Sequence, residues 1–140
     1  MKNLYHSDIY KFDIPVSSYW EDTSSEKLNF KKLTQDTNSE IVVIGGGYTG
    51  LLCAINLIEK HNLDVILVEA GKIGWGASSR NAGFNCLPPS KMSFKKMQSI
   101  YGVEETKRFF KNSVAGSNYT RDIIKEFNID CDVTGESNYV

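Results

Sequence analysis

Residues 40–50 read EIVVIGGGYTG, an apolar, β-branched run that breaks into glycines. Val and Ile suit an inner, doubly buried parallel strand, so the run ending at Ile44 predicts the first strand of an α/β unit. Gly45, Gly47 and Gly50 follow with G-x-G-x-x-G spacing. In that spacing the first glycine allows a tight turn, the second allows a pyrophosphate to approach the backbone, and the third allows a helix to pack on the strand. The stretch therefore predicts a dinucleotide-binding turn.

The residues after the glycines complete a β-α-β pattern. Apolar residues at helical spacing predict a helix from Tyr48 to about Lys60, and its first amide groups, with the positive end of its dipole, favour a diphosphate. A turn at residues 61–62 leads into a second predicted strand, residues 64–69. Glu69 ends that strand, where a carboxylate can accept hydrogen bonds from an adenosine ribose and would repel a 2′-phosphate.

A second informative stretch, residues 70–84, reads AGKIGWGASSRNAGF and is rich in small residues. Small side chains leave backbone amide groups accessible, while Ser78 offers a hydroxyl and Arg80 a cation. Taken alone, the stretch could equally be a flexible loop with a surface arginine. Beside a nucleotide-binding turn, we favour a loop that contacts the ligand.

Composition excludes several classes of function. The chain has 140 residues, enough for one domain, with 41% hydrophobic and 24% charged residues and a net charge of −1. This charge offers no basic surface for nucleic acid or an acidic membrane, and neither a signal peptide nor a membrane span is indicated. Cys53, Cys86 and Cys131 are widely spaced and odd in number, which favours neither a metal site nor disulfides. We expect a cytoplasmic protein with reduced thiols.

The chain divides into three predicted segments. Residues 1–37 are polar and are interpreted as an amino-terminal arm. Tyr19 and Trp20 bring large apolar area to the arm and are expected to pin it to the main body; packing is a better interpretation of Trp20 than ligand stacking. Residues 38–87 form the β-α-β unit and the small-residue loop, and residues 88–140 form a helical segment that leads into a substrate domain.

Two helices are predicted in the third segment. Ser90 or Ser93 could cap a short helix that runs through Ile100. A longer helix is predicted from Val103 to about Phe127, with apolar residues on two neighbouring stripes. We expect a core helix.

The end of the chain predicts a β-hairpin. Residues 130–133 resemble the start of a strand, Gly135 a turn, and residues 137–140 the start of a second strand. In the preceding helix, Gly116 and two other small residues predict close packing against another element.

The predicted fold class is therefore α/β, a Rossmann-like β-α-β unit with an incomplete doubly wound sheet, followed by helices and the start of a hairpin. Because the chain stops inside that hairpin, we expect it to be the amino-terminal piece of a longer protein.

These motifs together resemble the FAD-dependent amine and amino-acid oxidoreductases, the family that includes D-amino-acid oxidase, glycine oxidase and sarcosine oxidase. Within it, the γ-glutamylputrescine oxidoreductases are most similar. The likeness runs through almost the whole chain and is carried by residues 18–23, 43–51, 68–70 and 73–84. Many FAD and NAD proteins share the glycine turn, whereas the Gly-Ala-Ser-x-Arg-Asn-x-Gly loop is more selective and favours FAD.

The resemblance implies a set of FAD-binding residues. The turn would surround the pyrophosphate, the end of the second strand would hold the adenosine ribose, and the loop would line the path from the pyrophosphate to the flavin. In that order the implied residues are Gly45, Gly47, Tyr48, Thr49 and Gly50; Glu69 and Ala70; and Ala77, Ser78, Arg80, Asn81, Ala82, Gly83 and Phe84. Ser79 and Ala82 stand where relatives often have glycine, and the loop has no His for covalent flavin attachment.

The resemblance also implies the chemistry. Such enzymes pass a hydride from the carbon beside an amine to the flavin, and the resulting imine is hydrolysed. A small amine or amino acid would be the substrate of the full-length protein, with the substrate-binding residues and the catalytic residues outside this chain. We expect no turnover by residues 1–140 alone. Two alternatives stay open: part of an NAD-dependent dehydrogenase, and a non-catalytic nucleotide-binding fragment.

Overall fold

The computed structural model describes residues 4–15, 17–24, 28–87 and 91–135. It separates into two compact units, residues 1–82 and residues 83–140. The arm therefore belongs to the same unit as the glycine turn. The three predicted segments, with boundaries at 37/38 and 87/88, stay a prediction.

The first unit contains a short arm helix and one β-α-β unit. In the arm, a 3-10 turn covers Ser7–Tyr10 and helix α1 covers Tyr19–Thr23. The β-α-β unit consists of strand β1 (Ile41–Ile44), helix α2 (Tyr48–His61) and strand β2 (Val65–Val68). A second 3-10 turn, Ala77–Ser79, lies in the loop after β2.

Strands β1 and β2 pair in parallel. Ile41 lies opposite Val65, and the register continues to Ile44 opposite Val68. The β-branched residues form these strands because their side chains pack well on a pleated surface. The predicted mixture of helices with a parallel two-stranded sheet is confirmed.

Helix α2 covers one face of this sheet. Ala54 on α2 is 7% exposed, and the Val43 side chain points toward the start of the helix. Alternate residues of a strand point to opposite faces, and Val42 and Ile44 on the other face are 56% and 85% exposed. The expectation of a doubly buried first strand is therefore wrong for the part of the chain that the structure describes, where α2 covers one face of the sheet and the other face is exposed.

Gly50 allows α2 to begin directly against the glycine turn. A Cβ atom at this position would overlap the carbonyl oxygen of Gly45, and it would stand 3.4 Å from Cγ1 of Val43. Helix α2 ends at His61, and the next residue, Asn62, adopts the left-handed conformation with φ of 51°. Asn is among the residues that tolerate this conformation at a helix end, so the chain leaves the helix at Asn62, whereas the predicted turn began at His61.

The second unit is built on two helices. Helix α3 covers Phe94–Tyr101, and its first turn is capped by the Ser93 hydroxyl, which accepts a hydrogen bond from the amide of Lys96. Helix α4 covers Val103–Glu126, and Gly102 joins the two helices with φ of 80°. The bounds of both helices agree with the prediction. The expectation of a core helix is wrong for α4, because Thr106 is its buried residue whereas Phe109 and Val114 are exposed. Ser90, the other predicted cap, lies outside the described residues.

Packing between α3 and α4 centres on a pair of aromatic rings. The rings of Phe94 and Phe110 stack with their centroids 4.3 Å apart. Met97 on α3 and Thr106 on α4 are buried, and the Thr106 hydroxyl donates to the carbonyl oxygen of Gly102 at 2.8 Å. The short α3 is thereby held on the first turns of α4.

Two expectations for the second unit are wrong. The described residues form no strand at 130–133; Asp132 has φ of 48°, a left-handed conformation that interrupts an extended chain. The other predicted strand, residues 137–140, lies outside the described residues. At Gly116 a Cβ atom would meet no atom of the described residues within 4 Å, so these residues do not show the expected close packing at this position.

None of the described helices is long and apolar enough to cross a lipid bilayer.

The two helical glycines predict opposite responses to the same substitution. Gly50→Ala forces a methyl group against backbone, so we expect it to destabilise the chain by about 1–3 kcal/mol. Gly116→Ala adds a methyl group in open space within a helix, so we expect a gain of roughly 0.5–1 kcal/mol. Urea unfolding followed by circular dichroism measures both, and equal midpoints for Gly50→Ala and the parent would contradict the close approach.

Candidate functional site

The candidate site is built around the turn between β1 and α2. The chain leaves β1 at Gly45, whose amide donates to the carbonyl oxygen of Val68 at 2.8 Å and extends the sheet by one hydrogen bond. Gly45 has φ of 106°, a conformation that side chains other than glycine rarely adopt. The turn is therefore as tight as the glycine spacing predicts.

The first turn of α2 leaves amide groups open. Gly47 precedes the helix and provides no side-chain cap. The amide of Tyr48 donates to the Ser78 hydroxyl at 3.0 Å, whereas those of Thr49 and Gly50 have no hydrogen-bond partner among the described residues. These two open amides and the helix dipole create a place for an anion.

Ser78 takes the space that Gly47 leaves. A Cβ atom at Gly47 would stand 2.9 Å from Oγ of Ser78, closer than real Cβ contacts. The sequence interpretation assigned this space to a pyrophosphate. In the structure, the Ser78 hydroxyl occupies the space left by the absence of a side chain at Gly47. This hydroxyl accepts a hydrogen bond from the amide of Tyr48 at the start of α2.

Glu69 connects the glycine turn to the loop after β2. One carboxylate oxygen accepts from the amide of Gly46 at 2.6 Å, and the other accepts from the amide of Gly71 at 2.9 Å. The side chain is half-buried, at the end of β2 as predicted, and Ala70 follows it on the exposed surface. A carboxylate has further lone pairs, so these two bonds leave capacity for a ligand hydroxyl.

Gly46 belongs to the site although the motif gives it no role. A Cβ atom there would stand 2.5 Å from Cδ1 of Ile73. Its carbonyl oxygen accepts from the amide of Gly74 at 2.9 Å, and Gly74 has φ of 78°. The loop after β2 therefore docks on the turn through Gly46, a contact that requires no side chain on the turn.

Arg80 and Asn81 close the loop on itself. The Arg80 guanidinium lies 4.6 Å from the centre of the Trp75 ring and donates to the carbonyl oxygens of Trp75 and Gly76. The Asn81 side-chain amide donates to the carbonyl oxygens of Ala77 and Ser78, at 3.1 and 2.8 Å. Both side chains thus shape the loop that the sequence predicts to contact ligand.

Two cavities share Tyr48 and Ser78 in their walls. One, of about 250 Å³, is lined by Trp20, Gly46, Tyr48, Leu51, Gly74, Ser78 and Ser79. The other, of about 370 Å³, is lined by Val43, Ile44, Gly45, Gly47, Tyr48, Thr49, Gly50, Cys53 and Ser78. The residues between them therefore belong to both walls.

The structure brings part of the predicted set together. Six predicted residues line the cavities: Gly45, Gly47, Tyr48, Thr49, Gly50 and Ser78. Glu69 reaches the turn through Gly46, whereas Ala70, Ala77, Arg80, Asn81 and Ala82 lie elsewhere in the same unit and line neither cavity. Gly83 and Phe84 fall in the second unit.

Sequence reasoning missed several cavity residues, above all Trp20 and Gly46. The spacing rule assigns roles to the first, third and sixth positions of the motif, so it predicts no role for Gly46 at the second position. Trp20 stands 25 residues before Gly45. The only sequence signal for a role of Trp20 was its large apolar side chain in a polar segment.

Comparison with known proteins identifies related sequences. The family model described as DAO, FAD dependent oxidoreductase, matches residues 40–137. Gamma-glutamylputrescine oxidoreductase of Escherichia coli is 33% identical over 84% of this chain and 27% of its own length. Proteins named "Probable oxidoreductase OrdL" are similar too: 31% identical over 83% of the chain in Rhizobium meliloti and 28% over 84% in Haemophilus influenzae.

The chain spans 27% of the length of each of these three relatives. No solved structure gives a significant match.

A double-mutant cycle tests the contact between Gly47 and Ser78. Ser78→Ala removes the acceptor for the Tyr48 amide and should cost about 0.5–1.5 kcal/mol of unfolding free energy. Gly47→Ala should cost about 1–3 kcal/mol through the clash with Oγ. Together they should cost less than the sum, because Ser78→Ala removes the clashing atom. Additive costs in urea unfolding would contradict the contact.

Proposed function

The chain belongs to the FAD-dependent oxidoreductase family, and on that premise we propose that its glycine turn binds the pyrophosphate of FAD. The observation that carries the proposal is the pair of open amides at Thr49 and Gly50, which lie at the first turn of a 14-residue helix beside a cavity. Gly45, Gly47 and Tyr48 form the rest of the pyrophosphate site. Backbone amides and a helix dipole can hold a diphosphate without a cationic side chain.

The proposed ribose site is the end of β2. Glu69 holds the amides of Gly46 and Gly71 and retains acceptor capacity for the adenosine ribose hydroxyls, with Ala70 beside it. A negative charge there disfavours a 2′-phosphate, which FAD lacks. The same carboxylate thus organises the backbone around the pyrophosphate and accepts from the ribose.

The loop after β2 is proposed to guide the rest of the cofactor. Ser78 stands against the turn, and Arg80 and Asn81 keep the loop folded through bonds to its own carbonyl oxygens. Along this loop we place the path from pyrophosphate to flavin, with Ala77, Ala82, Gly83 and Phe84 as its other residues. The sheet around this site is proposed to be a Rossmann-like, doubly wound sheet of which β1 and β2 are two strands.

For the whole protein we propose oxidation of the C–N bond of a small amine or amino acid. The support is the similarity to gamma-glutamylputrescine oxidoreductase. FAD, when bound, supplies the acceptor for the hydride, and the residues of this chain bind and orient it. The described residues include none that we assign to substrate binding or proton transfer, so residues 1–140 alone should show no turnover.

Flavin retention tests the proposed function. Purified chain is incubated with FAD, the excess is removed, and the absorption spectrum is recorded for the parent, Gly47→Asp and Gly116→Asp. We expect the parent and Gly116→Asp to retain the flavin band and Gly47→Asp to lose it, because a carboxylate at the turn repels the pyrophosphate and clashes with Ser78. Gly116→Asp is the matched control, since it adds the same charge at an open position of α4. A folded parent without flavin would refute the proposal, and retention of NAD in its place would favour a dehydrogenase.

Glu69→Gln should weaken FAD binding by about tenfold. The amide side chain has one acceptor oxygen and can serve only one of the two amides that the carboxylate holds, so the turn and the ribose site both lose a charged acceptor. Titration of flavin fluorescence gives the affinity. Glu59→Gln, which removes the same charge from the exposed end of α2, should bind like the parent. Equal affinity for both variants would contradict the assigned role of Glu69.

A further inference from the structure

We propose that the arm is a positioning element of the cofactor site and that it acts through Trp20, which holds the loop of residues 71–81 against the glycine turn. The inference deepens the proposed FAD-binding function and rests on it. Trp20 is a positioning residue in this proposal, since its hydrogen bond reaches the loop backbone.

The arm contacts both ends of this loop. At its start, the Lys72 ammonium group pairs with the Glu21 carboxylate at 3.0 Å. At its end, the indole N–H of Trp20 donates to the carbonyl oxygen of Asn81 at 2.8 Å. Trp20 and Glu21 are consecutive residues of α1, so this one short helix contacts both the start and the end of the loop.

A second set of contacts fixes the middle of the loop. The indole N–H of Trp75 donates to the carbonyl oxygen of Ile14 at 3.2 Å, and the Trp75 ring meets Phe12 edge-on with centroids 5.1 Å apart. Arg80 lies on the same Trp75 ring. The arm therefore reaches the loop by a route that the contacts of α1 do not use.

The orientation of Trp20 is built into α1. The Ser18 hydroxyl caps the helix by accepting from the amide of Glu21 at 3.1 Å, and the Tyr19 ring contacts Trp20 edge-on with centroids 5.0 Å apart. Trp20 lines the cavity of about 250 Å³ together with Gly46, Tyr48 and Ser78. Its ring is thus a wall of the cavity while its N–H holds the loop.

The loop needs such support because of its composition. Residues 71–81 include three glycines, and glycine loses more conformational freedom on ordering than any other residue. Ser78 and Gly74 bind the turn only when the loop is in place. A loop that is ordered for part of the time reduces the apparent affinity for its ligand by that fraction. Ordering by the arm should therefore raise the affinity for FAD.

Hydrogen exchange in the chain without FAD tests the effect on the loop. NMR follows the loop amides of Gly74 and Arg80 and the α2 amides as an internal reference for global opening. Trp20→Phe keeps most of the ring and removes the N–H, so the loop amides should exchange roughly threefold faster with α2 unchanged. Trp20→Ala removes both and should accelerate the loop about tenfold. Tyr19→Phe, the control on the same helix, should behave like the parent.

FAD affinity, measured by flavin fluorescence on the same four proteins, completes the test. We expect the dissociation constant to rise in the same order, roughly threefold for Trp20→Phe and about tenfold for Trp20→Ala.

Equal acceleration of the loop and α2 would overturn the proposal, because Trp20 would then support the fold as a whole. Unchanged loop exchange, or faster loop exchange with unchanged FAD affinity, would overturn it too. A parent that binds no FAD refutes the proposed function, whereas a parent that binds FAD with an affinity indifferent to Trp20 refutes this inference alone.

Discussion

The carbonyl oxygen of Gly45 lies where a side chain of Gly50 would stand, and the rest of the first unit depends on this close approach. It brings the start of α2 directly against the end of β1, so the amides of Thr49 and Gly50 open beside the sheet. A bulkier residue would move the helix away and take the helix dipole with it. The proposed anion site thus depends on how closely two pieces of backbone can pack.

Around this turn the protein uses its own acceptors to satisfy some amides and leaves others open. Glu69 binds the amide of Gly46, and Ser78 binds that of Tyr48. The amides that follow them, at Thr49 and Gly50, keep their capacity for a ligand. The loop supplies Ser78, and the end of β2 supplies Glu69, so the elements that follow the turn decide which of its donors stay available.

Burial is sparse in the described part of the chain. Gly46, Ala54, Met97 and Thr106 are the buried residues there, and the outer face of β1 is exposed at Val42 and Ile44. Order in the first unit therefore depends strongly on backbone hydrogen bonds, glycine contacts and the arm. Two indole hydrogen bonds, one ion pair and one aromatic contact join the arm to the loop that flanks the turn; Trp20 of the arm donates one of the hydrogen bonds, and Trp75 of the loop donates the other.

The sequence alone determined the local elements and the family. Periodicity and glycine spacing placed β1, α2, β2, α3 and α4 within a residue or two, because each depends on neighbours along the chain; the small-residue loop pointed to FAD. It could not show that Ser78 occupies the space at Gly47, that Glu69 binds the amide of Gly46, or that Trp20 binds Asn81, since these partners stand 31, 23 and 61 positions apart. It also erred at residues 130–133, where the left-handed conformation of Asp132 interrupts the extended chain. Tertiary structure alone decided these features, because hydrogen bonds and steric exclusion between distant residues depend on where the fold places them.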